Sequence, residues 1–246
     1  MSEFSLTVIG QWSAYPSHGE ATSCYLVQAD DTSVLLDCGS GALSVLQEHM
    51  SLADIDAVIL SHYHADHIAD LGCLQYAALI DIDLSRRHKP LRVYGHELYD
   101  HTENLGYKDC VLGQTYNRNS LLEIGPFRFS FAPTTHPDPC FAIRAECGAA
   151  SLVYSGDTEP CWELVPFSEG ADVLLCETSL YDLYKGKIPG HMSAGEAGEL
   201  ALAAGVGKLV ATHLPHWGVH NDLLTQAQTA FGGETMLAQK FLHLEL

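Results

Sequence analysis

Residues 61–67 read Ser-His-Tyr-His-Ala-Asp-His, and the pattern His62-x-His64-x-Asp66-His67 packs three imidazoles and a carboxylate into six positions after an apolar run. An isolated histidine in a turn is usually a solvated surface residue, but three with an aspartate at this spacing point to a metal. The run Ala57-Val58-Ile59-Leu60 reads as a buried strand, and Ile68 to Ile80 continues at helical period, so the ligating groups fall where a strand ends and the chain turns. If the residues leaving the strand stay extended, His62 and His64 project to the same side, because side chains alternate with a period of two. Asp66 and His67 then diverge as the turn begins. One short loop can therefore serve two adjacent ions, a histidine pair for one and Asp66 with His67 for the other.

The bulk properties narrow the rest. The chain has 246 residues, enough for one or two domains, and with no Pro- or Gly-rich linker a single domain over 1–246 is the economical reading. Hydrophobic residues at 47% and charged ones at 17% are ordinary for a fully folded globular protein. Lys and Arg number 12 against 31 Asp and Glu, a formal charge of −19, which repels polyanions. The short Arg86-Arg87-His88-Lys89 cluster reads as a solvated helix end rather than a binding patch. Eight cysteines lie scattered with no Cys-x-x-Cys pair, so they read as reduced thiols acting as small hydrophobes. The start, Met1-Ser2-Glu3-Phe4, lacks a basic segment before an apolar one, and no apolar run approaches 18 residues. The expectation is a soluble cytoplasmic protein with no membrane contact.

Strand-like segments at Phe4–Ile9, Thr22–Ala29 and Ser33–Leu36 lead to a helix from Gly39–Gly41 through His49. Strand 57–60, helix 67–80, strand 91–94 and a helix from 96 to 105 follow. In the second half, Phe127-Arg128-Phe129-Ser130-Phe131 alternates as a half-buried strand, after Leu121–Ile124. Strands 141–146 and 151–155 suggest an antiparallel meander. Strand 172–176, helix 194–204, strand 208–212 and helix 221–230 return to alternation. Strands and helices mixed through both halves point to two sheets with helices on their outer faces, a four-layer αββα sandwich.

Six positions supply only part of two coordination spheres, and matching residues occur just beyond other strands. His136 follows the strand ending near Ala132, Asp157 follows Leu152-Val153-Tyr154, and His213 follows Leu209-Val210-Ala211-Thr212. With Asp37 closing an early strand, this ordered set resembles the metallo-β-lactamase superfamily of metallohydrolases over nearly the whole chain. The resemblance implies that one metal takes His62, His64 and His136, the other Asp66, His67 and His213, with Asp157 bridging. It also implies that Asp37 steadies the ligand loop from behind. Lactamases with a Cys ligand carry it where this chain has Asp157, and the diiron flavoprotein branch has Glu at the place of His64, so antibiotic hydrolysis and iron redox chemistry are not expected. The donor set suits two divalent ions, zinc first, with manganese or iron as alternatives.

Leu174-Leu175-Cys176-Glu177-Thr178 ends a strand, and His191 follows Glu177 by 14 residues in Gly190-His191-Met192-Ser193. Both segments resemble ribonuclease Z, where a His-Glu-Ala-Thr and a His-Ser-Thr segment stand at these points and the Glu orients the His toward the scissile phosphate. Only Glu177 and His191 carry over directly. Ser193 and Glu196 form a Ser-x-x-Glu capping box, so His191 precedes a helix N-terminus that suits an anion. Ribonuclease Z has a long substrate-gripping arm between the third His ligand and the bridging Asp, whereas 20 residues separate His136 from Asp157 here. The implied activity is hydrolysis of a small phosphodiester or cyclic nucleotide by a metal-bridging hydroxide, with Asp66, His191 and Glu177 as catalytic residues. A small ester and a second copy of the chain are the expected partners, and folded RNA is not. The rival readings are a lactonase or thioester hydrolase of the same fold, and a non-catalytic metal protein. Tyr63 and Ala65 are candidates to shape the pocket, and His216, Trp217 and His220 to form its rim.

Overall fold

A computed structural model of the chain describes residues 4–98 and 102–246. By Cα proximity it divides into two compact units, one running through Asn117 and taking back Gln239–Glu245, the other Arg118–Ala238. The first holds strands β1 (Ser5–Gly10), β2 (Cys24–Ala29), β3 (Thr32–Leu36), β4 (Ala57–Ile59), β5 (Leu91–His96) and β6 (Val111–Tyr116). Its helices are α1 (Ala42–Leu46), α2 (Ala65–Ile68) and α3 (Leu71–Asp83). The second holds β7 (Leu122–Ile124), β8 (Phe127–Pro133), β9 (Phe141–Cys147), β10 (Ala150–Tyr154), β11 (Val173–Glu177), β12 (Lys208–Thr212) and β13 (Glu234–Leu237). Its helices are α4 (Leu164–Ser168), α5 (Ala194–Ala204) and α6 (His220–Phe231). A last strand, β14 (His243–Glu245), returns to the first unit and pairs with β1.

Each unit is a seven-stranded mixed sheet with helices on it, as the αββα class requires. The first sheet runs β14-β1-β2-β3-β4-β5-β6, antiparallel up to β3 and parallel from β3 onward. The second runs β7-β8-β9-β10-β11-β12-β13, antiparallel up to β10 and parallel beyond it. Parallel neighbours in register end side by side: Leu36 pairs with Ile59, and Glu177 with Thr212. The chain segments that carry the His and Asp residues leave from those aligned carboxyl ends, where crossover folds collect their functional groups.

Packing follows the sequence pattern. Leu43, Val45 and Leu46 of α1 and Leu71, Leu74 and Ala78 of α3 cover Leu26, Leu35, Val58 and Val93 of the first sheet. In β8 the alternation resolves as expected: Phe127, Phe129 and Phe131 are buried, while exposed Arg128 pairs with Glu146 of β9 at 2.7 Å. Each fully buried Phe contributes roughly 1.5–3 kcal/mol over its exposed state. In the second unit α5 and α6 pack together, and α5 lies on β11 and β12.

Three sequence expectations change. The single helix over 67–80 is two, α2 and α3, because Asp70 is drawn into other bonds. Its N–H donates to Cys38 O (3.2 Å), and its carboxylate accepts from Leu43 N (3.0 Å). The helix expected from 96 to 105 lies partly outside the described residues. Within them, β5 runs on to His96, and Thr102–Leu105 form a 3₁₀ turn. Arg87 is not solvated: its guanidinium is buried and donates to Leu52 O (3.0 Å) and Ile55 O (2.6 Å). Burial pulls its pKa down, opposed by Asp56, Asp81 and Asp54. Among the described residues no helix is long and apolar enough to cross a membrane.

All eight cysteines are free thiols; Cys73 is exposed, Cys161 half-buried and the others buried. Burial raises the Cys24, Cys38 and Cys176 thiols far above their ordinary pKa, with neighbouring acidic groups adding to the effect. Since the thiolate is the reactive form, a thiol reagent should label Cys73 first and Cys161 more slowly in the native protein. The other six should react only after denaturation, a difference that peptide mapping resolves.

Candidate metal and catalytic site

In the first unit the six-residue motif is arranged around one buried carboxylate. Asp37, one residue past β3, sits at φ 61°, a left-handed conformation uncommon for any residue but Gly. Its Oδ1 accepts from Ser61 N (2.7 Å), and its Oδ2 accepts from Ser61 Oγ (2.8 Å) and from His67 Nδ1 (2.7 Å). Ser61 Oγ, having given its proton to Asp37, receives His62 Nδ1–H at 3.1 Å. Both histidines therefore carry hydrogen on Nδ1, which leaves Nε2 as the nitrogen open to a metal ion. The motif leaves β4 extended, as expected: His64 sits at φ −65°, ψ 149°, and the His62 and His64 rings are 4.7 Å apart. Asp66 and His67 then lie on α2. Asp66 Oδ2 accepts from Ala14 N (3.0 Å) and stands 3.7 Å from His67 Nε2. Gly39 makes this closeness possible, because a Cβ there would lie 2.1 Å from Asp66 O.

The second unit repeats the device. Glu177, the last residue of β11, is fully buried; its Oε1 accepts from Thr158 N (3.1 Å) and His191 Nδ1 (3.0 Å). Its Oε2 accepts from Ser179 N (3.1 Å) and Ser179 Oγ (2.9 Å). His213, one residue past β12 and at φ 54°, places Nδ1 2.8 Å from Ser179 Oγ and Nε2 3.6 Å from Asp157 Oδ2. One donor atom from each of Asp157, His191 and His213 falls within 4.8 Å of the others. His136 donates Nδ1–H to Asp138 O at 2.8 Å, so its Nε2 also faces away from that bond. The end of β8 is tied to that of β10 by Thr134 Oγ1 donating to Asp157 O (2.9 Å). Gly190, at φ 86°, lets the chain before His191 pass close to His136, where a Cβ would lie 2.6 Å from Cδ2.

These donors fit a divalent ion. Four histidines, His62, His67, His136 and His213, are held through Nδ1 and so turn Nε2 to a ligand. In each unit a carboxylate oxygen stands 3.6–3.7 Å from such a nitrogen. Two donors on one tetrahedral zinc, each about 2.0–2.1 Å from it, are about 3.4 Å apart.

Ser61 and Ser179, which set the orientation of His62 and His213, are the functional residues that sequence reasoning missed. For Ser179 a signal existed: the His-Glu-Ala-Thr segment of ribonuclease Z ends in a hydroxyl, and Cys-Glu-Thr-Ser keeps one there. Tyr63 does not open onto a pocket through its hydroxyl, which donates to His96 O (2.9 Å) and buttresses the motif from β5. In the segment 215–220, Trp217 is half-exposed, while His220 Nε2 is bonded to Pro215 O (2.7 Å) and begins α6.

Comparison with known proteins gives a consistent placement. The profile of the beta-lactamase superfamily domain matches residues 32–214. A probable metallo-hydrolase of Bacillus subtilis (strain 168), YhfI, is 42% identical over 235 residues, covering 95% of this chain and 96% of that one. The crystal structure of the Bacillus subtilis metallo-β-lactamase-fold protein YhfI superposes with a TM-score of 0.96 at 41% identity, over 99% of this chain and 100% of that one. A ribonuclease Z of Mycobacterium bovis (strain BCG / Pasteur 1173P2) is 29% identical over 239 residues, 85% of each chain.

The Asp37 carboxylate should govern metal affinity without touching the metal. Asp37→Asn puts an amide N–H where an acceptor stood and so works against the Nδ1–H tautomer of His67. Zinc affinity should fall about 10- to 100-fold, read by competition with a chromophoric chelator, while circular dichroism stays that of the parent.

Proposed function

The chain belongs to the metallo-β-lactamase superfamily of metal-dependent hydrolases, in its ribonuclease Z-like branch, and within it we propose a phosphodiesterase acting on a small phosphodiester or cyclic nucleotide. One ion would be held by His62, His64 and His136, the other by Asp66, His67 and His213, with Asp157 shared, following the ligand order of the superfamily. Zinc suits the nitrogen-rich donor set best. When bound, the ions supply Lewis acidity, which makes water nucleophilic near neutral pH and neutralises the phosphoryl oxygens.

The observation that carries the phosphodiester reading is the His191–Glu177 pair. Glu177 is fully buried whereas the His191 side chain is 19% exposed, so a carboxylate behind the ring fixes an imidazole that substrate can reach. With Nδ1–H committed to Glu177 Oε1, Nε2 is the atom left to face substrate, and in the imidazolium form it hands its proton to the departing alkoxide while Nδ1–H stays on Glu177. His191 also stands just before α5, whose capping box is complete: Ser193 Oγ accepts from Glu196 N, and Glu196 Oε2 from Ser193 N. The positive end of that helix favours an anionic group beside His191. Asp66, one oxygen of which is held by Ala14 N–H, takes the proton of the attacking water.

A small substrate is favoured over folded RNA on two grounds. The span between His136 and Asp157 is filled by β9 and β10, which meet at a tight turn where Cys147 pairs with Ala150, leaving no room for an arm. The formal charge of −19 opposes a polyanion.

Metal-loaded protein assayed on a chromogenic phosphodiester, a cyclic nucleotide, an acyl-homoserine lactone and a glutathione thioester should turn over the phosphodiesters. His191→Ala should lower that turnover about 10²- to 10⁴-fold with metal content unchanged. Full activity in that variant, or hydrolysis of the lactone or thioester alone, would end the phosphodiesterase reading.

A further inference from the structure

We propose that Ser179 is a positioning residue whose hydroxyl transmits the constraint of the buried Glu177 carboxylate to His213, so that one carboxylate orients both the proton donor and a metal ligand. The proposal rests on the reading of His213 as a ligand and deepens it. Glu177 is otherwise taken to act on His191 alone.

The hydrogen bonds admit one arrangement. A serine hydroxyl has one proton to give and lone pairs to receive with. Ser179 Oγ lies 2.9 Å from Glu177 Oε2, 2.8 Å from His213 Nδ1, 3.4 Å from His191 Nδ1 and 3.3 Å from His213 O. An ionised carboxylate only accepts, so the hydroxyl proton goes to Oε2. The opposite choice, a proton given to His213, would face an oxygen lone pair against the carboxylate at 2.9 Å. With its proton spent, Oγ must receive hydrogen from His213 Nδ1. That fixes His213 with its lone pair on Nε2, the atom standing 3.6 Å from Asp157 Oδ2. Glu177 Oε1 meanwhile takes Nδ1–H of His191. The result is a chain of four groups, the buried His213, Ser179 and Glu177 and the partly exposed His191, with a single carboxylate at its centre.

The first unit contains the same pattern on unrelated sequence. There Asp37 takes His67 directly and His62 through Ser61 Oγ, and both histidines belong to the ligand motif. A hydroxyl between a buried carboxylate and a histidine is thus used twice to set a ring's tautomer. Loss of the Ser179 hydroxyl does not strand the carboxylate, since Thr158 N, Ser179 N and His191 Nδ1 remain its donors. Ser179→Ala should therefore fold.

The test is zinc titration of metal-stripped protein against a chromophoric chelator, for the parent, Ser179→Ala, Ser179→Thr, Glu177→Gln and the Ser179→Ala/Glu177→Gln double variant. Ser179→Ala should bind one of two zinc equivalents about 10- to 100-fold more weakly, and Ser179→Thr should restore it. Glu177→Gln, altered at a residue with no ligand role, should weaken the same equivalent. Its amide N–H toward Ser179 Oγ would turn the hydroxyl proton onto His213 Nδ1. The double variant should be no worse than the weaker single one, because both changes break one chain. Parent-like zinc affinity in Ser179→Ala overturns the relay and leaves the metal-hydrolase reading standing. A parent protein that takes up no zinc overturns both.

Discussion

Two carboxylates with no exposure to water, Asp37 and Glu177, fix much of the rest of the site. An ionised carboxylate taken into the interior costs several kcal/mol unless its lone pairs are met by donors. Asp37 meets that demand with Ser61 and His67, and Glu177 with Thr158, Ser179 and His191. Most of these donors sit on segments that follow other strands, so the cost is avoided only when those segments close in one shape. Stability of the buried acid and precision of the surrounding histidines are therefore the same requirement. The left-handed backbone at Asp37 and His213 fits this picture, since such conformations persist where surrounding bonds over-determine them.

The two sheets reach this arrangement by one strand plan, three antiparallel pairings followed by three parallel ones. Antiparallel strands end at opposite edges, whereas parallel strands in register end together. The parallel half of each sheet is thus the place where residues distant in sequence become neighbours, each long crossover returning the chain to the same edge. Asp37 and Ser61 leave β3 and β4; Asp157, Glu177 and His213 leave or end β10, β11 and β12. Hydrophobic runs such as Leu174-Leu175 and Leu209-Val210-Ala211 are long enough to be buried throughout, and the polar groups begin where the runs stop.

That discontinuity is why so much was legible in the sequence. A buried strand followed at once by His or Asp is a sharp local contrast, and it marked His62, His136, Asp157 and His213 alike. The capping box of α5 and the alternation of β8 were equally local. What escaped reading depended on partners far along the chain. β6, β13 and β14 include edge strands whose exposed residues erase the apolar signature, and α4 is five residues long. Arg87 looked like part of a basic cluster because nothing beside it announces the carbonyls of Leu52 and Ile55. Ser61 and Ser179 are ordinary residues by type and spacing; only the geometry of a carboxylate and an imidazole on either side gives their hydroxyls a role.

In the proposed role of His191 as proton donor, the same logic passes from metal binding to substrate choice. A proton donor must keep its distance to a leaving group within a fraction of an ångström, which a free loop does not provide. Contacts that hold the segment before α5 include Gly190 N on Glu159 Oε1 (2.8 Å), His191 on Glu177, the Ser193–Glu196 box, and Lys185 on Glu196 at 3.2 Å. The last of these also raises the Lys185 pKa through its bond to Glu196. His191 is thus part of a preorganised frame. A fixed donor favours substrates whose leaving oxygen falls at one place and disfavours those that must bend to meet it. On the proposed reading, selectivity of that kind resides in a few bonds around residues 159–196, while the six-residue motif that first identifies the chain leaves it unspecified.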